Sequence, residues 1–197
     1  MTTRKPTLTQ SRRVFLGTMT RGAMLSGAAV ALLGGREAMA AQAKGGPEDA
    51  AILNVALSLE HEAIAAYQIG AESGLLSKAA LDVAVTFQSQ HKTHRDALAS
   101  TIEKLGGTPA GALPVADYAK SAKLNVASIK SAADVLRLAQ RLELAAANAY
   151  LGVIPAFADR ELAKIAGRLA ADETMHYTAL TQALGEGPPT RALSFGA

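Results

Sequence analysis

The 197-residue chain has no cysteine and no tryptophan, and only four tyrosines and four phenylalanines. Without cysteine there is no disulfide, no thiolate metal ligand, no thiol nucleophile and no lipid attached through an N-terminal cysteine, so any metal must be held by oxygen and nitrogen. Basic runs interleaved with aromatics, the pattern that tracks a phosphate backbone, are also missing. The pI near 9.3 is a local effect. Residues 1–40 hold six of the 20 basic residues (Arg4, Lys5, Arg12, Arg13, Arg21, Arg36) and one of the 17 acids, Glu37, which leaves 14 basic and 16 acidic residues for 41–197. That mildly acidic remainder argues against nucleic acid as a partner. Strand signals are absent, so the reading is all-α.

Ser11-Arg12-Arg13-Val14-Phe15-Leu16 resembles the twin-arginine export motif, and an apolar run from Ala23 to Leu33 leads to Ala38-Met39-Ala40. The order basic, apolar, small-x-small is that of a cleaved signal peptide. The apolar run is too short and glycine-rich to span a hydrocarbon core of ~30 Å. The expected division is therefore a leader over 1–40, cleaved after Ala40, and a mature domain over 41–197. The resemblance implies a periplasmic or otherwise exported protein, the twin-arginine machinery as a partner, and no stable membrane anchor after cleavage. Twin-arginine substrates fold before export, often so that a cofactor can be loaded in the cytoplasm.

The mature part reads as four long helices, roughly 47–73, 77–105, 131–154 and 159–184. Gly74, Gly106-Gly107 and Gly185 stand where the apolar rhythm stops, Pro155 ends or kinks the third helix, and Ser131 with Asp134 has the spacing of a capping box. Short links make the first two helices and the last two antiparallel hairpins. Residues 106–130 form a link that reaches up to ~80 Å at ~3.3 Å per residue, enough to return along a ~40 Å helix. The expected architecture is a four-helix bundle of two hairpins joined by a long crossover between helices 2 and 3.

The hairpins repeat one another. Glu60 is followed by Tyr67 and Glu143 by Tyr150, while His91 to Leu98 aligns with Glu173 to Leu180. Such a repeat predicts pseudo-twofold symmetry and a site shared between the halves. On each helix the apolar stripe is broken by ionisable residues. It runs Leu53, Leu57, Glu60, Ile64, Tyr67; then Ala84, Phe87, His91, His94, Leu98, Ile102, Leu105; then Leu136, Ala139, Glu143, Ala147, Tyr150; then Leu162, Ile165, Leu169, Glu173, His176, Leu180. An ionised carboxylate in a dry core costs several kcal/mol, so three of them with three imidazoles need partners or a cation. Residues i and i+3 share a face, which lets His91 and His94, and Glu173 and His176, aim at one centre. The candidate metal ligands are Glu60, His91, His94, Glu143, Glu173 and His176. The donor mix suits one or two ions of iron, manganese or zinc, and the histidine share admits copper.

Tyr67 and Tyr150 are expected to be core residues whose hydroxyls reach the ligands, and His61 and Asp172 to assist weakly from outside. Glu62 lies some 200° around the helix from Glu60, at ~100° per residue, and is expected in solvent.

Across roughly residues 50–184 the chain resembles the ferritin-like superfamily, in particular its exported single-domain members. The residues that carry the likeness are Leu59-Glu60-His61-Glu62 with Tyr67, His91 to Leu98, Leu142-Glu143 with Tyr150, and Glu173-x-x-His176. The resemblance implies Glu60 and Glu143 as terminal ligands, Glu173 as a bridging one, and His94 and His176 as one imidazole on each metal. His91 departs from the family, which usually has a bridging glutamate there. A neutral imidazole supplies less negative charge, so a mixed site, a more widely spaced pair and a single metal are all compatible.

The function expected is a metal-binding ferritin-like protein, in one version an oxidoreductase acting with oxygen or peroxide. The alternative is a metal-free bundle with a structural or interaction role in the cell envelope. Only thirteen residues follow Leu184, which argues against a storage cage but is compatible with a homodimer. Replacing both Arg12 and Arg13 with Lys should trap the precursor in the cytoplasm, as read by fractionation and immunoblotting; normal export of that variant would remove the twin-arginine assignment.

Overall fold

The structure is a computed structural model and describes residues 45–196, so the expectations for the 1–40 leader fall outside it. Five helices follow: α1 Pro47–Glu72, α2 Lys78–Lys104, the short α3 Val115–Ala119, α4 Ala132–Val153 and α5 Arg160–Ala183. There is no strand among the described residues, and no helix there is long and apolar enough to cross a membrane.

Local chemistry sets the helix ends. Pro47 occupies the start of α1, where a missing N–H costs nothing, and Glu48 and Asp49 put negative charge in its first turn. Ser77, Ser131 and Asp159 cap α2, α4 and α5 by accepting the backbone N–H of Ala80, Asp134 and Glu161. The expected capping box closes one residue further out, because the Asp134 carboxylate accepts from the Ser131 hydroxyl and from the Lys130 N–H. At the end of α2, Gly106 has φ of 78°, and Gly107 N–H reaches back to the Ile102 carbonyl at 2.9 Å. Only glycine takes that left-handed position without a Cβ penalty. α4 stops at Val153, and the chain turns through a 3₁₀ segment at Ile154–Ala156 that contains Pro155.

α1 packs chiefly on α2 and α4 on α5, giving two hairpins; α1 also lies against α4, and α2 touches α5 more sparsely. Leu53, Leu57, Leu98, Ile102, Tyr150, Leu162 and Leu169 form the main apolar core at one end. Tyr67, Ala84, Phe87 and Leu180 form a smaller cluster at the other. Between these apolar layers lies a band of buried polar side chains.

The crossover is more ordered than a plain link. It carries α3 and a 3₁₀ turn at Val126–Ser128, and it buries Leu124 against Ala66 and Leu138. The Asn54 side chain pins it at the Thr108 carbonyl and the Ala110 N–H. The His61 ring donates to the Ala110 carbonyl at 3.0 Å, so this residue serves the crossover and not the polar band. Glu62 is half-buried and paired with Lys123 at 2.9 Å, contrary to its expected solvation, because the crossover covers that face of α1.

The stripe on α4 also shifts. Val135 and Leu138 are buried, while Leu136 and Ala139 are only half-buried and line an apolar cavity of about 440 Å³. The cavity exists because Gly70, Ala79, Ala80, Ala84, Ala179 and Ala183 leave the hairpins too thin to close there. At the opposite end packing is complete: Ile102 is 0% exposed. Ile102→Ala should lower unfolding free energy by about 2–5 kcal/mol in a denaturant titration. A loss below about 0.5 kcal/mol would show that this core is not packed as described.

Candidate metal centre

All six residues singled out in the sequence lie in the polar band. α1 supplies Glu60, α2 His91 and His94, α4 Glu143, and α5 Glu173 and His176, and none is more than 7% exposed. They form two overlapping groups, Glu60, His91, His94 and Glu173, and His91, Glu143, Glu173 and His176; within each group the ligand atoms lie within 4.8 Å of one another. His91 and Glu173 belong to both. The predicted sharing between halves is therefore a matter of named atoms. Glu173 turns Oε1 toward His94 Nδ1, at 3.1 Å, and Oε2 toward His176 Nδ1, at 3.1 Å.

The tyrosines cross the seam. Tyr67 of α1 donates its hydroxyl to Glu143 of α4, and Tyr150 of α4 donates to Glu60 of α1. Each hairpin thus orients the other's carboxylate, the exchange that the repeated Glu and Tyr spacing implies. Burial and the adjacent carboxylate charges push both phenols well above their usual range, so they remain protonated donors.

His94 and His176 share a design. His94 turns Nε2 outward to the exposed Asp172, at 3.2 Å, and His176 turns Nε2 to Gln90 Oε1, at 2.5 Å. An outer acceptor of this kind holds the proton on Nε2 and leaves Nδ1 free to ligate. Phe87 stacks on the His176 ring at a centroid separation of 4.1 Å and fixes its plane. The weak assistance expected of Asp172 is a direct hydrogen bond. Gln90 was not foreseen, because a single glutamine on a half-exposed face carries no signal in the sequence.

In the protonated state the cluster satisfies itself. His91 spans Glu60 at 2.8 Å and Glu143 at 3.1 Å, and no atom of the six is among the buried side-chain atoms without a partner. Burial opposes ionisation of Glu60, but hydrogen bonds from His91 and His94 outweigh it and carry its carboxyl down to about 2. Glu143 is lowered as well: burial is overcome by His176 and His91. Burial likewise opposes the charged form of His94, yet Glu173 and Glu60 raise it to about 10. His91 and His176 move upward for the same reason, through Glu143 with Glu60 for the first and Glu143 with Glu173 for the second. Glu173 is raised, because burial exceeds the help from His176 and His94. The raised imidazoles thus stand in for cationic charge among the carboxyl groups. A divalent ion placed in either group finds four oxygen and nitrogen donors without thiolate, a set that suits iron, manganese or zinc and admits copper. The residues fit a metal centre.

Comparison with known proteins bears on the family and the fold. No curated protein matches the chain significantly. Among solved structures, a conserved hypothetical protein from Mycobacterium tuberculosis is similar, with 27% sequence identity, a TM-score of 0.61, and coverage of 74% of this chain and 96% of that one. Its description names no activity. The family model for the ferritin-like domain matches residues 48–186, which takes in every helix of the bundle and all six clustered residues, and on that extent of agreement the chain belongs to the ferritin-like domain family.

Proposed function

We propose that this is an exported, periplasmic ferritin-like protein that holds one or two transition-metal ions in the bundle core and uses them in redox chemistry with oxygen or peroxide. The observation that carries the reading is the convergence of three carboxylates and three imidazoles from four helices on two overlapping groups of donors. Glu60 and His94 would hold an ion on one side, Glu143 and His176 on the other, with Glu173 between them. A bound iron or manganese ion would supply the electrons for reducing the oxidant.

The protein's own residues do the rest. Tyr67 and Tyr150 keep Glu143 and Glu60 in place. Asp172, at the solvent edge, gives protons a route to and from His94 Nε2. The cavity of about 440 Å³ ends on Tyr67 and has the apolar lining that suits a small apolar oxidant such as dioxygen. A second void of about 20 Å³ borders His91 and Glu143, room for about one water-sized molecule.

One observation favours the metal-free alternative, a bundle with a structural role in the envelope: every ring nitrogen of the three clustered histidines already faces an oxygen. Elemental analysis of protein purified from the native compartment separates the two readings. At least one equivalent of iron or manganese is expected, and a His94→Ala, His176→Ala double variant should lose it. Metal kept at wild-type stoichiometry in that variant would refute the ligand assignment, and metal-free wild type would favour the structural reading.

Protons and metal compete for the same imidazoles, which gives a second test. His94, raised from 6.5 to about 10, contributes stability that is complete below 6.5 and disappears as pH climbs to about 10. Glu60, lowered from 4.5 to about 2, contributes stability that is complete above 4.5 and disappears as pH falls to about 2. Metal-free protein should therefore melt at its highest temperature between about pH 4.5 and 6.5, with the added-metal stabilisation growing above that window. A melting temperature that is flat from acid to about pH 10 would show that these groups are not paired as described.

A further inference from the structure

The three clustered histidines do not use their nitrogens alike. His94 and His176 each keep Nε2 on an acceptor outside the cluster, Asp172 and Gln90, and present only Nδ1 to its interior. His91 has no such outer acceptor. Its Nδ1 lies 2.8 Å from Glu60 Oε2 and its Nε2 lies 3.1 Å from Glu143 Oε1, so each edge of the ring faces a different carboxylate, one from each half of the bundle. It is also the one histidine common to both donor groups. The ring is 1% exposed and lies beside Tyr67, with centroids 5.3 Å apart.

We propose that His91 bridges two metal ions through both ring nitrogens, Nδ1 serving the ion held by Glu60 and His94, and Nε2 the ion held by Glu143 and His176. The inference rests on the metal-binding reading above and adds to it the number of ions and their spacing. A ligating histidine ordinarily anchors its second nitrogen on an outer carboxylate, carbonyl or water. Here the positions where those anchors would stand are themselves terminal ligands of the two sites.

The loaded state balances. With His91 as an imidazolate and His94 and His176 as neutral imidazoles, the protons they held pass to solvent, and two divalent ions with three carboxylates, one imidazolate and two neutral imidazoles carry no net charge. The core therefore takes up two dications without acquiring an unpaired charge, which is costly in a buried site. Because the nitrogens of an imidazole diverge across the ring, ions bridged by it stand further apart than the roughly 3.5–4 Å usual for paired metal sites.

The test uses the full chain loaded with copper(II), followed by metal analysis, X-ray absorption and electron paramagnetic resonance on the wild type, His91→Ala and His91→Glu. The wild type should bind two ions, show no metal–metal scattering near 3.5–4 Å, and give a resonance weakened or altered by coupling between the ions. His91→Glu should bring in the short metal–metal distance. His91→Ala should bind the second ion more weakly by more than the roughly 10–100-fold that loss of an outer partner costs, and should show an uncoupled signal. A short metal–metal distance in the wild type, or coupling that persists in His91→Ala, overturns the bridge while leaving metal binding in place. A wild type that takes up no copper, iron or manganese overturns the metal-binding reading itself. The wild-type spectra decide the matter even if His91→Ala does not fold.

Discussion

Six ionisable side chains, all nearly inaccessible, occupy the same layer of a narrow helical bundle, and the rest of the molecule is arranged around making that tolerable. An isolated charge in such a place would shift its pKa or unfold the protein. Here the charges pair both within a hairpin, as Glu60 does with His91 and Glu173 with His176, and between hairpins, as His91 does with Glu143 and His94 with Glu173, so the full set of partners exists only when both halves are docked. Glu60 meets His91 and Tyr150; Glu143 meets His91, His176 and Tyr67; Glu173 meets His94 and His176. The apolar layers on either side exclude water and lower the local dielectric, which strengthens each pairing and raises the penalty for breaking it.

This arrangement links the internal repeat to the chemistry. A hairpin with a glutamate and a tyrosine two turns apart on one helix, and a pair of ligands one turn apart on the other, cannot complete a site alone. Two of them facing each other can, and the tyrosine hydroxyls then exchange across the seam. Among the six clustered residues, the halves differ chemically at His91 against Glu173. Both lie at the centre, and both belong to the two donor groups, but the carboxylate presents two oxygens on one side of a carbon while the imidazole presents two nitrogens across a ring. The asymmetry at that position determines what spacing of ions the centre can accept.

Most of the site was legible in the sequence because its cost is visible there. Glu60, Glu143 and Glu173 interrupt stripes of Leu, Ile and Ala, and a charge at a core position needs a partner wherever the helices go. Asp172 was legible only weakly, since an acid next to a ligand is common on exposed faces, and Gln90 not at all. The helix ends at Gly106 and Gly185 could be read because left-handed backbone has few alternatives to glycine. The crossover was harder to read. Its short helix and buried Leu124 depend on Ala66 and Leu138, residues distant in sequence, and the same contact places Glu62 beside Lys123 instead of in open solvent. On α4 the stripe slid from Leu136 and Ala139 to Val135 and Leu138, because the apolar cavity leaves either face available to the core and only tertiary packing chooses between them.

Anomalous diffraction from crystals of the metal-loaded protein addresses the convergence of these side chains most directly. The account predicts two peaks inside the bundle, one beside Glu60 and His94 and the other beside Glu143 and His176, with Glu173 between them. Peaks confined to the surface, or a metal bound away from all four helices, would contradict it.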